Sequence, residues 1–369
     1  MRIGLMIYGS LDTLSGGYLY DRKLVEYLRG RGDVVGIVSL PWRNYAAHLT
    51  DNLWFRLSSP EAGLRRTHQQ APGFHKFDIL IQDELNHPSL IAANAGKHPY
   101  PVISLVHHLR CSESRPEWQN ALYRIVERKY LQSVDGFIFN SQTTKGAVHE
   151  LLKRETPSIV AYPPTDRFGE AVSASRVIER ATSETLRILF LGNVIERKGL
   201  HTLLRALTRL KRDSLPLYRL DIVGSLQSEP RYAKRMQNLA AANGLSAIVT
   251  FHGPQDHERL KELLEQAHVL VVPSSYEGFG IVYLEGMGFG LPAIGTTAGA
   301  AGEIIRDGVN GFLIEPEDAD LLANRLEVLK EKREVLLKMS LEARSRYLLQ
   351  PGWNESASQI RDFLQRFPG

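Results

Sequence analysis

The sequence predicts an α/β protein with two doubly wound domains, each built on a parallel sheet. With 369 residues the chain is too long for one ordinary domain and long enough for two cores. Short apolar runs alternate with helix-length segments in both halves, which is typical of βαβ units. A proline-containing, polar stretch separates the halves. Ligand sites of such domains lie beyond the carboxyl ends of the strands.

The first half contains five predicted strands, at residues 2–8, 34–40, 78–82, 102–106 and 136–140. Residues 17–31 form the first predicted crossover helix, whose apolar face carries Leu19, Leu24, Tyr27 and Leu28. Residues 161–168 read AYPPTDRF and precede a polar stretch with little pattern, so we place a domain boundary at residue 168.

The second half repeats the alternation, with strands predicted at 186–191, 219–223, 248–251, 268–272 and 293–295. A charged helical pattern follows at 318–346, and Pro351 then interrupts it. We therefore predict a second domain over 169–350 and a C-terminal helix, 351–369, that packs back on the first domain, 1–168.

Composition indicates a globular protein, with 43% hydrophobic and 23% charged residues. The single cysteine, Cys111, cannot form an internal disulfide, and no apolar stretch reaches the roughly 20 residues that span a bilayer. Both features favour a cytoplasmic protein. A net charge of +4 is too small and too dispersed to indicate nucleic acid as a partner.

The densest chemical signal is residues 271–290, VVPSSYEGFGIVYLEGMGFG. Glu277 lies on a predicted turn after a buried strand, and Glu285 lies about two helical turns into the next element. The backbone N–H groups of Phe279, Gly280, Ile281 and Val282 would face a phosphate from the helix N-terminus. A charged residue in this apolar setting is costly without a partner or ligand, so we favour a functional role over a solvated glutamate pair.

A second signal is residues 189–200, LFLGNVIERKGL, where a strand again runs into a glycine turn. Arg197 and Lys198 lie near a helix start, where a cation is unfavourable unless it serves an anion. An arginine fork and a lysine point charge together suit a diphosphate. An exposed surface arginine is an equally good explanation of Arg197 alone.

Two weaker signals lie in the first half. Gly16 and Gly17 follow the first strand and open a helix, which permits close backbone approach to a ligand. His107 and His108 end the strand 102–106, and only one of two adjacent strand residues is expected to face the substrate. No carboxylate of the first half is predicted as a nucleophile.

The sequence lacks the motifs of three other kinds of site: a dinucleotide-binding site, a zinc protease site and an ATPase phosphate loop. Gly286, Gly288 and Gly290 do not form the dinucleotide fingerprint, because Leu291 occupies the last glycine position. His257-Glu258 is followed by Lys261 where a zinc protease needs histidine, and no phosphate-binding glycine-lysine-serine or glycine-lysine-threonine loop occurs. A metal site or an ATPase is therefore not expected.

With these motifs the chain resembles the family 4 glycosyltransferases. The resemblance covers nearly the whole chain and is carried by Glu277 and Glu285 in EGFGIVYLE, by Gly290-Leu291-Pro292 and by the segment 308–312, GVNGF. It implies the GT-B fold, two Rossmann-like domains facing a cleft, with an acceptor-binding first domain and a donor-binding second domain. It also implies sugar transfer with retention of anomeric configuration.

The resemblance implies a role for most of the residues above. Glu277 would contact the donor sugar, Glu285 the ribose hydroxyls, and Lys198 the leaving diphosphate. Residues 279–282 would supply backbone contacts, Gly16 and Gly17 would lie beside the diphosphate, and His107 would lie near the anomeric carbon. Asp166 and Arg167 receive no role. One departure is Asn193, which stands where many members have arginine, and Arg197 would then supply that charge.

The expected reaction transfers a sugar from a UDP-, GDP- or ADP-sugar to a sugar, a lipid-linked or a small-molecule acceptor, with no tightly bound cofactor and no metal requirement. The alternatives are a nucleotide-sugar epimerase of the same fold and a non-catalytic nucleotide-sugar-binding subunit, for which Asn193 is the one hint.

The composition of two segments suggests peripheral contact with the inner face of the membrane. Residues 110–129 interleave arginines with Trp118, Leu122 and Ile125, and residues 42–74 are basic and aromatic, with Trp54, Phe55, Arg56, Arg65 and Arg66. The commoner explanations are a helix packed on its own sheet and a long surface loop.

Overall fold

A computed structural model describes residues 1–13, 15–53, 55, 57, 77–95, 98–164, 166–210 and 217–367. The chain divides into two compact units. The first unit consists of Met1–Pro164 and Pro351–Gly369, and the second of Thr165–Gln350. Both are layered α/β structures, which confirms the predicted fold class.

The first unit contains a six-stranded parallel sheet of order β2-β1-β3-β4-β5-β6. Its strands are β1 Arg2–Tyr8, β2 Val34–Leu40, β3 Ile79–Asp83, β4 Val102–Val106, β5 Gly136–Phe139 and β6 Ser158–Val160. Alternate residues of the strands enter two separate cores: Ile3, Leu5 and Ile7 of β1 lie in one, and Met6 and Tyr8 in the other. The sheet is therefore covered on both faces.

Helices of the first unit follow from local capping and apolar faces. They are α1 Gly16–Gly30, α2 Tyr45–Leu49, α3 His87–Asn94, α4 Glu117–Leu131, α5 Gln142–Leu152 and the C-terminal α13 Trp353–Leu364. Ser15 caps α1 by accepting a hydrogen bond from the N–H of Tyr18. Ile360 and Phe363 of α13 enter the same core as Leu24 and Leu28 of α1, so the C-terminal helix is part of the first unit.

The second unit contains a six-stranded parallel sheet of order β12-β11-β10-β7-β8-β9. Its strands are β7 Leu186–Leu191, β8 Tyr218–Val223, β9 Val249–Gly253, β10 Val269–Val271, β11 Ala293–Thr296 and β12 Gly311–Ile314. Its helices are α6 Ala174–Ala181, α7 Leu200–Arg209, α8 Pro230–Ala242, α9 His257–Gln266, α10 Ile281–Gly288, α11 Ala319–Glu331 and α12 Arg333–Leu348. The predicted helical stretch 318–346 is thus two helices, divided at Lys332.

Each sheet has one point where the strand order reverses direction. In the first sheet this point lies between β1 and β3, and in the second between β7 and β10. Open parallel sheets bind ligands at the carboxyl ends of the strands at this place, because the loops diverge there and leave a crevice. Within the described residues, no helix is both long and apolar enough to cross a membrane.

Candidate functional site

The loops that follow β7 and β10 form the candidate site of the second unit. Gly199, at φ +70°, lets the loop after β7 approach the loop after β10, since a Cβ there would lie 2.0 Å from the carbonyl oxygen of Pro273. The aliphatic stem of Lys198 packs beside Gly192. The two loops therefore hold Lys198 and Glu277 against each other at the reversal point of the sheet.

Glu277 lies at the centre of a charged cluster. Its Oε1 accepts hydrogen bonds from Lys198 Nζ and, at 2.7 Å, from Ser274 Oγ. Its Oε2 is 4.0 Å from Arg197 Nη1, and that guanidinium also donates to the carbonyl of Tyr276 at 2.7 Å. Sequence reasoning missed Ser274, although its position three residues before Glu277 on the same turn was a signal.

Electrostatics keep Glu277 ionised. Burial alone raises the carboxyl pKa, but Lys198, Arg197 and Ser274 outweigh burial and lower the pKa of Glu277 to about 2. Burial lowers the pKa of Lys198, against the opposing charge of Glu277. Glu277 is consequently an acceptor of hydrogen bonds and not a proton donor at neutral pH.

The turn after Glu277 depends on two glycines with positive φ. Gly280, at φ +90°, precedes the first residue of α10, and a Cβ there would lie 2.6 Å from the ring of Tyr283. Gly299, at φ +83°, lies against the backbone of Glu277, where a Cβ would be 2.1 Å from the carbonyl oxygen. Phe279 and Gly280 precede α10, and Ile281 and Val282 are its first two residues. The first N–H groups of an α-helix lack the carbonyl partner four residues earlier in the helix.

Glu285 is the fifth residue of α10, so it lies about one helical turn from the helix start and the expected two turns are wrong. Its side chain is 2% exposed, and its Oε1 accepts a hydrogen bond from Arg167 Nη1 at 3.0 Å. Burial raises its carboxyl pKa, and Arg167 only partly offsets the rise. The sequence assigned Arg167 no role because no local pattern marks it.

Asn193 connects two loops of the second unit. Its Oδ1 accepts a hydrogen bond from the N–H of Ser225 at 3.3 Å, which ties the loop after β7 to the loop after β8. Arg197 lies 4.0 Å from Glu277, so of these two residues Arg197 supplies the cation of the cluster.

In the first unit, His107 directly follows β4 and contacts the first helix. Gly17 lies against its ring, since a Cβ at Gly17 would be 3.2 Å from His107 Cδ2. His107 Nε2 is 3.3 Å from Asp21 Oδ1 on α1. His108 makes a separate contact, with Nε2 2.9 Å from Glu113 Oε1. The structure thus brings His107, and not His108, together with Gly17.

Two further carboxyl groups border His107, at the end of β3. Glu84 Oε2 accepts a hydrogen bond from the backbone N–H of His107 at 2.8 Å. Burial, followed by the charge of Asp21, raises the pKa of Asp83 to about 7, and burial with the charge of Asp83 raises the pKa of Glu84 well above its usual value. Sequence reasoning missed all three acids. Asp21 on the apolar face of α1 and the acidic pair ending a buried strand were the available signals.

Asp21, Asp83 and His107 each have one atom able to bind a metal, and these atoms lie within 4.8 Å of one another. The contact between His107 Nε2 and Asp21 has the length of a long hydrogen bond, which an ion would have to displace. The arrangement is that of a hydrogen-bonded acid–base group.

Residues 173–346 match the model of a family described as glycosyl transferases group 1. The match covers most of the second unit, Thr165–Gln350. The matched residues include the Lys198–Glu277 cluster and Glu285.

Curated relatives resemble this chain over part of their length. The chain is 31% identical over 199 residues to a D-inositol 3-phosphate glycosyltransferase of Streptomyces griseus, which covers 53% of this chain and 41% of that protein. It is 26% identical over 273 residues to the protein of that name from Corynebacterium aurimucosum, which covers 72% and 64%. The chain therefore spans 41% to 64% of the length of these two relatives.

Solved structures share the whole fold. Sucrose-phosphate synthase from Thermosynechococcus elongatus superposes with a TM-score of 0.81 at 19% identity, over 99% of this chain and 98% of that one. Anabaena HepE in complex with UDP and glucose superposes with a TM-score of 0.74 at 18% identity, over 99% of both chains. These likenesses identify the fold as GT-B.

Proposed function

We propose that the chain is a retaining glycosyltransferase that moves a sugar from a nucleoside diphosphate sugar to an acceptor hydroxyl. The observation that carries the proposal is the Lys198–Glu277 pair, with Arg197 beside it, at the reversal point of a sheet in a glycosyl transferases group 1 unit. A partly buried cation paired with an ionised carboxylate, next to the start of a helix, suits a ligand that carries both phosphate and hydroxyl groups.

Lys198 and Arg197 are assigned to the diphosphate. The ammonium group of Lys198 has three donors, and the contact with Glu277 occupies one of them, so donors remain for phosphate oxygens. The N–H groups at the start of α10 add a partial positive charge. Stabilising the departing diphosphate lowers the barrier to breaking the bond between the anomeric carbon and the phosphate oxygen.

Glu277 and Glu285 are assigned to hydroxyl groups of the donor. Glu277 is ionised, and among the described residues its Oε2 has only a long contact with Arg197, so this oxygen has room to accept a hydrogen bond from a sugar hydroxyl. Glu285 is assigned to the ribose hydroxyls. In the transfer step the acceptor oxygen bonds to the anomeric carbon on the face that the phosphate leaves, and a phosphate oxygen takes the acceptor proton.

Donor binding is tested first, with UDP, GDP, ADP and their glucose conjugates in a thermal-shift panel, followed by calorimetry with the best ligand. Lys198→Ala is expected to weaken diphosphate binding at least tenfold, which is about 1.4 kcal/mol. Lys338→Ala, an exposed lysine of the same unit, is the matched control. Equal affinity of the two variants would contradict the assignment.

Turnover separates the alternatives. Nuclear magnetic resonance of the product of an α-linked donor is expected to show an α-glycoside, formed only when an acceptor is present. Conversion of the donor to an isomeric nucleotide sugar without acceptor would instead indicate an epimerase. Nucleotide binding without release of the diphosphate, whichever acceptor is added, would indicate a non-catalytic subunit. A β-glycoside would exclude retention.

A second proposal concerns the partner of helix α4, which we assign to an anionic lipid surface. Three large apolar side chains project from one face at i, i+4 and i+7: Trp118, Leu122 and Ile125 are 65%, 56% and 56% exposed. Arg124, Arg128 and Lys129 are exposed on the same helix. Apolar anchors with flanking cations are typical of helices that lie in the interface of a charged bilayer. Five residues of the segment 42–74 raised the same expectation. Phe55 is buried in a core of the first unit, so the expectation is wrong for it, and Trp54, Arg56, Arg65 and Arg66 lie outside the described residues.

Cosedimentation with phosphatidylglycerol-containing vesicles at low salt tests the lipid assignment. Binding is expected for the unmodified chain and is expected to be lost in the Trp118→Ser, Leu122→Ser double variant. Vesicles of phosphatidylcholine alone are the control for charge. Equal sedimentation of the two proteins with anionic vesicles would remove α4 as the contact.

A further inference from the structure

The buried carboxyl groups beside His107 form a pair with unsatisfied oxygens. Asp21 is fully buried and Asp83 is 1% exposed. Within the described residues, Asp21 Oδ2 and Asp83 Oδ2 have no hydrogen-bond partner. The other oxygens are engaged, Asp21 Oδ1 with His107 and Asp83 Oδ1 with the N–H of Leu85.

A proton between the two carboxyl groups removes this deficit. Two ionised carboxylates are acceptors only and repel each other, whereas a carboxylic acid donates to a neighbouring carboxylate. The carboxyl group of Asp83 is the site of this proton, since burial and the charge of Asp21 raise its pKa to about 7. Asp21 then keeps its negative charge toward the histidine.

The ring of His107 is surrounded by groups that favour its cationic form. Burial lowers the imidazole pKa, but the neighbouring acids, with the hydrogen bond and charge of Asp21 the largest effects, outweigh it and raise the pKa of His107 to about 9. Tyr20 contacts the ring edge, and burial raises its pKa, so its hydroxyl remains neutral. Burial likewise raises the pKa of Tyr18, whose hydroxyl donates to the carbonyl of Tyr8.

The two ring nitrogens differ in their surroundings. Nε2 faces Asp21, whereas Nδ1 has no hydrogen-bond partner among the residues that the structure describes. The His107 side chain retains 11% exposure. When both nitrogens carry protons, the Nδ1–H is the donor left for a ligand.

We propose that Asp21 is a positioning residue which, sharing one proton with Asp83, holds His107 as an imidazolium whose Nδ1–H donates to a substrate oxygen. The substrate part of this inference rests on the proposed glycosyltransferase function. The acid–base part rests on the first unit alone. A histidine held in this way binds a hydroxyl or phosphate oxygen, and it cannot remove the acceptor proton as a base.

Histidine titration by nuclear magnetic resonance tests the acid–base part on the full chain without any substrate. The protein is labelled with ¹³C and ¹⁵N in histidine, and His107→Gln assigns the signal. In the unmodified protein, the His107 pKa is expected well above the usual value of about 6.5. A value near the usual one would overturn the proposal.

Two isosteric changes then divide the roles of the acids. Asp21→Asn removes the charge that faces Nε2, so the His107 pKa is expected to fall by about one unit or more. Asp83→Asn imitates a protonated acid and can donate to Asp21, so the His107 pKa is expected to stay within about half a unit. Equal falls in both variants, or no fall in Asp21→Asn, would overturn the shared-proton arrangement.

The pH dependence of turnover tests the substrate part. For the unmodified protein, kcat/KM is expected to show no ionisation of His107 between pH 6 and 8. In Asp21→Asn, it is expected to fall as pH rises through the lowered His107 pKa. A pKa of about 8 would give about a twofold fall between pH 6 and pH 8, and a pKa of about 7 about a tenfold fall. An unchanged profile, with a lowered His107 pKa, would show that the imidazolium does not act on substrate. Failure of the proposed function is distinguishable, because turnover would then be absent while the titration stayed as expected.

Discussion

Arg167 Nη1 lies 3.0 Å from Glu285 Oε1, and this contact joins a 39% exposed guanidinium to a 2% exposed carboxylate. The guanidinium also lies over the ring of Phe168, 4.9 Å from its centroid, and Phe168 stacks on His257. Within the described residues, Glu285 has no other ion pair. Arg167 is therefore the group that offsets the burial of Glu285 before any ligand is bound.

Removing Arg167 is expected to destabilise the second unit through Glu285. Arg167→Gln should lower the free energy of unfolding by about 1–3 kcal/mol, because it leaves a buried carboxylate without its cation. In the Glu285→Gln background the same change should cost less than about 0.5 kcal/mol, since the side chain there is neutral. Urea unfolding of the four proteins of this double-mutant cycle measures the coupling.

The control for this cycle is Arg176, whose contact with Glu179 is exposed at both ends. Arg176→Gln is expected to change stability by less than about 0.5 kcal/mol. Additive effects of the Arg167 and Glu285 changes would contradict the role of Arg167.

Arg197 and Lys198 are expected to contribute unequally to nucleotide affinity. Lys198→Met should weaken UDP binding at least tenfold, because it removes the positive charge beside Glu277 and leaves Glu277 to repel phosphate. Arg197→Gln should have a smaller effect. The guanidinium of Arg197 lies 4.0 Å from Glu277, and one of its N–H groups already donates to the carbonyl of Tyr276. Calorimetry with UDP ranks the two variants. A larger loss in Arg197→Gln would reverse the assignment of the main phosphate ligand.

Much of the candidate site could be predicted because the signals are local. Lys198 and Glu277 each follow a buried strand, and parallel strands bring such loops to one edge of the sheet. Strands β6 and β12, of three and four residues, were not predicted. Arg167 and Asp21 were missed as site residues because their partners are 118 and 86 residues away, and local periodicity carries no information about such contacts.

Gly299 is expected to be far less tolerant of substitution than Gly308, although both glycines have positive φ. A Cβ at Gly299 would lie 2.1 Å from the carbonyl oxygen of Glu277, whereas Gly308, at φ +72°, has open space around it. Gly308→Ala should cost about 1–2 kcal/mol, the penalty of the left-handed conformation alone. Gly299→Ala must also displace the Glu277 turn, so it should cost more than about 3 kcal/mol and weaken UDP binding. Similar unfolding free energies for the two variants would show that the turn yields easily.

His107 is expected to make the stability of the first unit fall in alkaline solution. Its pKa is raised to about 9 in the folded protein, so its contribution is fully present below the unfolded value of about 6.5 and is lost as pH rises through 9. The raised pKa values of Asp83 and Glu84 overlap this window, so the comparison is best made in an Asp83→Asn, Glu84→Gln background.

Urea unfolding of that background protein, with and without His107→Gln, gives the contribution of His107 to the free energy of unfolding at pH 6.5 and at pH 9.5. This contribution is expected to change between the two pH values by on the order of 2 kcal/mol. The protein that retains His107 should lose this stability as pH rises, and the His107→Gln protein should not. A buried neutral imidazole would give the opposite sign, since its folded pKa would lie below 6.5 and stability would be gained as pH rose through that range. The sign of the difference therefore decides whether Asp21 faces a cation or a neutral ring.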